Sequence, residues 1–313
     1  MKIVFFGSSN FAVESLKALL GSKHEVLYVI TQPDREKGRG MHLGKTPVKI
    51  FAEEKGLKVF QPYRKDLNDE IDFLRKFNAD IFVVVAYGLI LPKAIIDLPK
   101  IFSINLHGSL LPNYRGAAPI NRAIINGDTE TGTTVIKLIV EMDAGPVISS
   151  KKVNIKETDN AHTLEEKLAI SGAELLLETL NDIQASDYKL LEQDKTKVTL
   201  APKLLKQTGL IDWEDSAVNI SNLIRGCFGW PGAFTYYRGK MIKILQAEYD
   251  KSTVSDYLSG QIYEIGKDGI RVKTGNGSVV IKQLQPEGKN VMSCADFISG
   301  HKITKGDILT SKK

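Results

Sequence analysis

Short apolar runs alternate with amphipathic stretches throughout the first half of the chain. The run KIVFFG is followed by FAVESLKALL, in which apolar residues recur at helical spacing, and then by a second run, HEVLYVI. The series continues with DIFVVVAYG and IFSINLHG. Strands that are this uniformly apolar are typical of parallel sheets covered by helices on both faces. The pattern therefore predicts a Rossmann-like α/β domain with a doubly wound, mostly parallel sheet.

A change in the pattern predicts where this domain ends and another begins. Residues 131–153 fit two strands joined by a turn, and residues 161–184 fit one long helix. We therefore place the first domain at residues 1–184 and interpret the polar residues 185–206 as a linker. Short strands with glycine-containing turns recur within residues 207–313, which is typical of a small OB-like β-barrel domain.

Composition limits the location and the partners of the protein. A chain of 313 residues with 42% hydrophobic residues is long enough for about two domains. It has no apolar run of membrane-spanning length, its start lacks the features of a cleavable signal, and two cysteines suit a reducing compartment. We therefore expect a cytoplasmic protein with no membrane partner.

The net positive charge is concentrated in the last third of the chain. Of the 42 Lys and Arg and the 37 Asp and Glu, residues 203–313 hold 16 and 11, which leaves 26 and 26 for the rest. The net charge of +5 therefore falls within this region, as suits a domain that contacts nucleic acid. The alternative is an ordinary solvated basic surface.

Two motifs resemble nucleotide sites without meeting their requirements. Residues 7–11, GSSNF, lack the glycines that let a pyrophosphate approach a helix start. Residues 44–46, GKT, resemble the end of a phosphate-binding loop, but Arg39 stands where its first glycine is required. The five histidines and two cysteines show no metal-site spacing, so we expect no metal.

The densest group of polar residues at a predicted strand end lies in IFSINLHGSLLPNYRGAAPI. Asn105 and His107 stand two apart on this strand, so their side chains project to the same face. They lie where a parallel strand opens into a loop, which is where doubly wound sheets bind ligands. Asp143 supplies a carboxylate on another turn. The alternative for an isolated pair is a structural asparagine and a loop histidine.

These residues carry a resemblance to a known family. Residues 105–112 and 143–145 resemble the folate-dependent formyltransferases, which share Asn-x-His-x-Ser-Leu-Leu-Pro and a later Asp-x-Gly. Within that family, six further motifs are similar to the members that act on methionyl-tRNA, and they extend over essentially the whole chain. In chain order they are TQPDREKGRG (31–40), AYGLILP (86–92), RGAAPI (115–120), GLIDW (209–213), WPGAFT (230–235) and LQPEGK (284–289).

The resemblance implies an enzyme that transfers a formyl group from 10-formyltetrahydrofolate to the α-amino group of initiator methionyl-tRNA, for translation initiation. The folate is a small-molecule co-substrate, and we expect the enzyme to be a monomer. A neutral amine attacks the formyl carbon, and the tetrahedral intermediate carries negative charge on oxygen. Asn105 and His107 are expected to donate hydrogen bonds to that oxygen. Asp143 is expected to orient the imidazole and to help move the proton of the amine.

The resemblance also implies two sets of binding residues. The folate is expected to contact two segments, which comprise Tyr87, Gly88, Leu89, Ile90, Ser109, Leu110, Leu111 and Pro112. The transfer RNA is expected to contact a basic loop at residues 32–46 and the C-terminal domain, through Arg35, Arg39, Lys45, Arg225 and Lys243. Without the resemblance, we would interpret residues 86–92 as an ordinary strand-to-helix turn and the basic loop as solvated.

Rival functions remain open. Formyltransferases that act on a nucleotide-linked amino sugar share the catalytic residues, but AAPI after Arg115 and the C-terminal motifs favour a tRNA substrate. A folate-binding or RNA-binding module without turnover would leave the polar residues at positions 105, 107 and 143 unexplained. A hydrolase built on Ser109 is weaker still, because this serine lacks the G-x-S-x-G elbow.

Overall fold

The computed structural model describes residues 1–37, 42–62, 70–252 and 254–312. The chain divides into two compact units, each assembled from three stretches of sequence. The first unit comprises Met1–Pro119, Glu130–Asn154 and Glu165–Pro202, and the second comprises Ile120–Thr129, Ile155–Leu164 and Lys203–Lys313. The domain boundaries at residues 184 and 206 stay a prediction. Among the described residues, no helix is long and apolar enough to cross a membrane.

The first unit contains a mixed sheet and several helices. Its strands are β1 (Lys2–Gly7), β2 (Glu25–Ile30), β3 (Arg35–Lys37), β4 (His42–Gly44), β5 (Val59–Phe60), β6 (Ile81–Val85), β7 (Phe102–His107), β8 (Glu130–Lys137) and β9 (Val147–Asn154). Its helices are α1 (Asn10–Leu20), α2 (Pro47–Glu54), α3 (Ile71–Arg75) and α4 (Lys93–Ile96), with a 3₁₀ turn at Lys195–Lys197. Two helices have residues in both units, namely α5 (Pro119–Ile125) and α6 (Ala161–Ala185).

The sheet of the first unit has the strand order β5-β2-β1-β6-β7-β8-β9. The first five of these strands are parallel, and β8 and β9 extend the sheet in antiparallel fashion. The central strand β6 is IFVVV with every residue buried, as expected for a strand that has both faces covered. These features confirm the predicted Rossmann-like, mostly parallel sheet.

The order of the strands creates a crevice at one edge of the sheet. Strand β1 lies between β2 and β6, so the chain builds outward from β1 first in one direction and then in the other. Ligands of doubly wound folds bind at such a reversal, outside the carboxyl ends of the strands. The basic loop predicted at residues 32–46 contains the short antiparallel pair β3 and β4, which the sequence pattern did not reveal.

The GKT motif at residues 44–46 forms the start of a helix. The Thr46 hydroxyl accepts a hydrogen bond from the Lys49 backbone N–H at 3.1 Å, and Pro47 occupies the first position of α2. A threonine cap followed by proline is a common way to begin a helix. The GKT motif therefore ends in the cap of α2.

The second unit is built around an antiparallel sheet that curls into a half-barrel. Its core includes Trp213, Ile220, Ile244 and Ile281. The register shifts near Gln246 let the longest strand bend. The OB-like β domain is thereby confirmed as the second fold. Its elements are α7 (Ala217–Gly226), β10 (Ala233–Tyr237), β11 (Lys240–Asp250), β12 (Ile262–Gly266), β13 (Gly269–Lys273), β14 (Ser278–Pro286), β15 (Met292–Ser293), α8 (Cys294–Gly300), β16 (Leu309–Thr310) and a 3₁₀ turn at Lys206–Gly209.

Candidate active site

Asn105 and His107 lie side by side at the end of β7. His107 is 6% exposed, and Asn105 is half-buried. The strand pairs with β6 on one side and β8 on the other, so both residues are held in the middle of the sheet. The Asn105 side chain makes no hydrogen bond to any residue that the structure describes. Its amide is therefore available to a ligand.

The His107 ring lies between a carbonyl and a carboxylate. Its Nε2 is 2.9 Å from the Tyr114 carbonyl oxygen, and its Nδ1 is 3.6 Å from Asp143 Oδ1. A carbonyl oxygen only accepts, so Nε2 carries a hydrogen and donates it. The Nδ1 distance is too long for a direct hydrogen bond, so this nitrogen and the carboxylate face each other without a direct contact.

Asp143 lies in a turn whose geometry is closely constrained. Its Oδ2 accepts a hydrogen bond from the Gly116 backbone N–H at 2.8 Å, and its φ of 52° is in the left-handed region. At Gly145 a Cβ would come within 1.8 Å of the Lys137 carbonyl oxygen, so only glycine fits this close approach. The Asp-x-Gly motif thus places a carboxylate beside the imidazole of His107.

The loop that follows β7 is fixed by hydrogen bonds of its own. Ser109 Oγ donates to the Asn113 carbonyl at 2.6 Å, and Thr134 Oγ1 donates to the Ser109 carbonyl at 2.7 Å. The Leu111 backbone N–H donates to the same Thr134 oxygen at 3.1 Å. The predicted folate residues 109–112 therefore form a rigid turn directly after Asn105 and His107. Because the Ser109 hydroxyl is engaged within this turn, it is poorly placed to act as a nucleophile.

The other predicted folate segment, residues 87–90, follows the adjacent strand β6. The Tyr87 side chain points into the core, where its ring packs edge-on against Phe6 with centroids 5.5 Å apart. Its hydroxyl has no partner among the described residues, and burial raises the pKa of Tyr87 to about 12. Its backbone carbonyl accepts hydrogen bonds from Ser8 Oγ and Gln32 Nε2. Within this segment Ile90 is 70% exposed, whereas Leu89 is half-buried and Gly88 has a φ of 80°.

A groove of about 350 Å³ opens beside this segment in the first unit. As far as the structure describes it, the lining includes Tyr87 and Gly88 of the predicted folate set and Arg35 of the predicted tRNA set. It includes none of Asn105, His107 and Asp143. The groove is therefore separate from the three polar side chains around His107.

The predicted tRNA residues of the first unit differ in their surroundings. Arg35 is exposed at the groove. Lys45 forms an ion pair with Glu53 at 2.7 Å, and this hydrogen bond raises the pKa of Lys45. Arg39 lies outside the residues that the structure describes. The proposed RNA contacts of all three stay a prediction.

The two predicted tRNA residues of the second unit also differ. Arg225 donates to the Asp159 carbonyl and to Asn222 Oδ1, both at 2.6 Å, and burial lowers the pKa of its guanidinium. Lys243 lies on β11 with its side chain against Gly232. Arg225 is therefore already committed to holding its own unit together.

Two residues near the site were given no role by the sequence. Gln193 is buried and donates from Nε2 to the carbonyls of Asp143 and Gly145, at 2.8 and 2.7 Å. Arg115 donates to Gln193 Oε1 from both Nε and Nη2, at 3.0 and 2.8 Å. Gln193 stands in the polar segment interpreted as a linker, where no periodic pattern could single it out. Among the described residues, no group of three or more His, Cys, Asp or Glu is arranged to hold a metal ion.

Comparisons with known proteins place this geometry in a family. The family model described as "Formyl transferase" matches residues 1–180, and "Formyl transferase, C-terminal domain" matches residues 203–302. The chain is 41% identical over 312 residues to a methionyl-tRNA formyltransferase of Geotalea uraniireducens, with 100% of this chain and 99% of the relative covered.

Two solved structures share the fold at low identity. The N-formyltransferase from Helicobacter canadensis, in complex with folinic acid and dTDP-3-aminofucose, is 19% identical with a TM-score of 0.68, covering 91% of this chain and 99% of that one. HypX from Aquifex aeolicus in complex with tetrahydrofolic acid is 18% identical with a TM-score of 0.66; the match covers 99% of this chain and 50% of HypX. Matched by both domain models and by a full-length relative, the chain belongs to the formyl transferase family.

Proposed function

We propose that this protein transfers a formyl group from 10-formyltetrahydrofolate to the α-amino group of initiator methionyl-tRNA. The observation that carries the proposal is that Asn105 and His107 lie at the end of β7, with His107 Nδ1 3.6 Å from Asp143 Oδ1. The name of the full-length relative supports the tRNA substrate. The tetrahydrofolic acid in the HypX complex supports a reduced folate as the formyl donor.

Each of the three side chains suits one part of this reaction. As the amine attacks the formyl carbon, Asn105 donates its unpartnered amide N–H to the developing oxyanion. His107 Nε2–H is held by the Tyr114 carbonyl, so its Nδ1 is the atom that exchanges a proton. The Asp143 carboxylate faces Nδ1, so it orients the edge of the ring that takes up and returns the proton.

The bonds and protons of the reaction balance in this scheme. The new bond joins the amine nitrogen to the formyl carbon, and the bond between that carbon and the folate nitrogen breaks. The proton that leaves the amine passes through His107, beside Asp143, to the departing folate nitrogen. The products are tetrahydrofolate and N-formylmethionyl-tRNA. We also propose that the enzyme acts as a monomer in the cytoplasm, where translation begins.

The second candidate is formyl transfer to a nucleotide-linked amino sugar. Its support is the fold shared with the Helicobacter canadensis enzyme, whose complex contains dTDP-3-aminofucose. The identity to that enzyme is 19%, against 41% to the methionyl-tRNA formyltransferase, so the tRNA substrate is favoured.

The deciding experiment supplies purified protein with 10-formyltetrahydrofolate and either methionyl-tRNA or a dTDP-linked amino sugar. We expect formyl incorporation into the tRNA with equal release of tetrahydrofolate, and none into the sugar. A His107→Ala variant gives the background, and Asn113→Ala, at an exposed position of the same loop, is the matched control. Formylation of the sugar alone would contradict the proposal.

A further inference from the structure

Gln193 is a buried residue in an exposed segment. It is 8% exposed, and it is the one buried residue among residues 186–200, all of which the structure describes. Its neighbours Glu192 and Asp194 are exposed. Burying a primary amide costs free energy unless its hydrogen-bonding groups find partners. The burial of this side chain therefore indicates a specific set of contacts.

All four hydrogen-bonding positions of the Gln193 amide are used. The two N–H groups donate to the Asp143 and Gly145 carbonyls at 2.8 and 2.7 Å. The oxygen accepts from Arg115 Nε and Nη2 at 3.0 and 2.8 Å. A guanidinium only donates and a carbonyl only accepts, so a single orientation of the amide satisfies these partners. Gln193 thus joins two turns of the chain through one side chain.

The two turns lie on opposite sides of the His107 ring. Arg115 directly follows Tyr114, whose carbonyl accepts from His107 Nε2. Asp143 faces Nδ1 of the same ring. Gln193 makes no hydrogen bond to His107 itself, so any effect on the imidazole passes through these neighbours.

We propose that Gln193 is a positioning residue for formyl transfer, which fixes the Asp143 carboxylate against His107 by tying the turn at residues 143–145 to Arg115. Asp143 has a left-handed φ of 52°, and the two hydrogen bonds from Gln193 hold the carbonyls of residues 143 and 145 on this turn. The inference rests on the proposed function, because it assigns Asp143 a part in the proton transfer.

The segment that carries Gln193 has other attachments to the first unit. Leu191 exchanges two backbone hydrogen bonds with Val147, at 2.8 and 2.9 Å. The Thr199 carbonyl accepts from Arg115 N at 2.9 Å, and Ala201 N donates to the Arg115 carbonyl at 2.7 Å. These bonds do not involve the Gln193 side chain. We therefore expect Gln193 variants to fold with the segment in place.

The first test compares Gln193→Ala, Gln193→Glu and the matched control Glu192→Ala in steady-state formylation. We expect kcat of Gln193→Ala to fall by about 10-fold to 100-fold, with KM for both substrates within about twofold, because the chemistry is misaligned while binding is kept. Gln193→Glu should be similarly slow, since a carboxylate accepts from Arg115 but cannot donate to two carbonyls. Unchanged kcat in Gln193→Ala, or an equal loss in Glu192→Ala, would overturn the proposal.

A double-mutant cycle tests whether Gln193 acts through Asp143. In an Asp143→Ala background, Gln193→Ala should lower kcat by less than about threefold, because residues that act as a unit are not additive. Full additivity of the two losses would refute a positioning role.

Hydrogen exchange supplies a readout that needs no substrate. The Gly116 N–H is bound to Asp143 Oδ2, so it should exchange faster in Gln193→Ala than in Glu192→Ala. Equal exchange of the Gly116 N–H in the two variants would contradict the proposal that Gln193 fixes the position of Asp143. If the wild-type protein formylates no methionyl-tRNA, the proposed function fails, while the exchange comparison still tests Gln193 by itself.

Discussion

Polar side chains have different roles in the two units. In the second unit, Trp213 Nε1 donates to Thr235 at 2.9 Å, Tyr237 donates to Asp307 at 2.7 Å, and Arg225 binds Asp159 and Asn222. Each of these groups is paired inside its own unit. In the first unit, polar groups surround His107, and the Asn105 amide has no partner among the described residues. The comparison teaches that polar groups of the second unit serve packing within that unit, whereas the half-buried Asn105 amide at a strand end of the first unit is open to a ligand.

The largest expected effect tests the unpaired donor. Asn105→Ala should lower the formylation rate by about 10²-fold to 10³-fold, or about 3 to 4 kcal/mol of transition-state stabilisation, if the amide serves the oxyanion. Its thermal midpoint should stay close to that of the wild type, because no hydrogen bond inside the protein is lost. Steady-state kinetics and a melting curve check both points, and near-full turnover would remove Asn105 from the mechanism.

The second-largest effect is expected from removing the hydrogen bonds that Arg225 makes in the second unit. Arg225→Ala should destabilise the protein by about 2 to 3 kcal/mol, since it leaves the Asp159 carbonyl and the Asn222 amide without their charged donor. The exposed Arg238, paired with Asp307 at 3.3 Å, is the matched control, and Arg238→Ala should cost less than about 1 kcal/mol. Urea unfolding measures both. A variant of Arg225 with normal stability but weak tRNA binding would reverse our assignment.

Two buried tyrosines, one in each unit, differ in whether the hydroxyl has a hydrogen-bond partner. Burial raises the pKa of Tyr87 to about 12, and burial together with Asp307 does the same for Tyr237. The Tyr87 hydroxyl has no described partner, whereas the Tyr237 hydroxyl binds Asp307. At neutral pH, Tyr87→Phe should therefore raise stability by about 1 kcal/mol and Tyr237→Phe should lower it by about 1 kcal/mol. Equal effects in unfolding experiments would show that the two hydroxyls are not distinguished by their partners.

The same tyrosines predict a loss of stability at high pH. Unfolded tyrosine loses its proton near pH 10, while folded Tyr87 keeps it until about pH 12. Stability therefore falls as pH rises through this window, by about 2 to 3 kcal/mol for this residue. Tyr87→Phe should show a smaller decline between pH 10 and 12, as measured by urea unfolding at each pH.

The smallest effect concerns the basic loop. Arg35→Gln should weaken methionyl-tRNA binding and lower the slope of log Kd against log salt by about 1 if the guanidinium contacts a phosphate. Lys45→Gln should change the slope less, because the Lys45 ammonium is paired with Glu53. Folate binding should be unaffected in both. Equal loss of folate and tRNA affinity would contradict an RNA role for Arg35.

Strong local patterns made much of the fold predictable. The buried run of β6 and the long helix α6 follow from residue type and periodicity, and the two-residue spacing of Asn105 and His107 was enough to place both on one face. The approach of Asp143 to His107 depends on tertiary packing, and only the family resemblance brought it into view. No sequence pattern pointed to Gln193, because the carbonyls and the guanidinium that contact its buried side chain are distant in sequence. The β3 and β4 pair lies in a polar, glycine-containing stretch that is typical of a loop.

The chain passes between the units at residues 119, 129, 154, 164 and 202. The second unit consequently includes residues from earlier in the chain, and they bond to its C-terminal stretch. Asn121 Nδ2 donates to the Gly226 carbonyl, and the Tyr249 hydroxyl donates to Glu157, each at 2.8 Å. A fragment that begins at residue 203 lacks both of these partners. The second unit is therefore not one continuous stretch of the chain, and a cut at residue 203 would separate its longest stretch from the two earlier stretches that complete it.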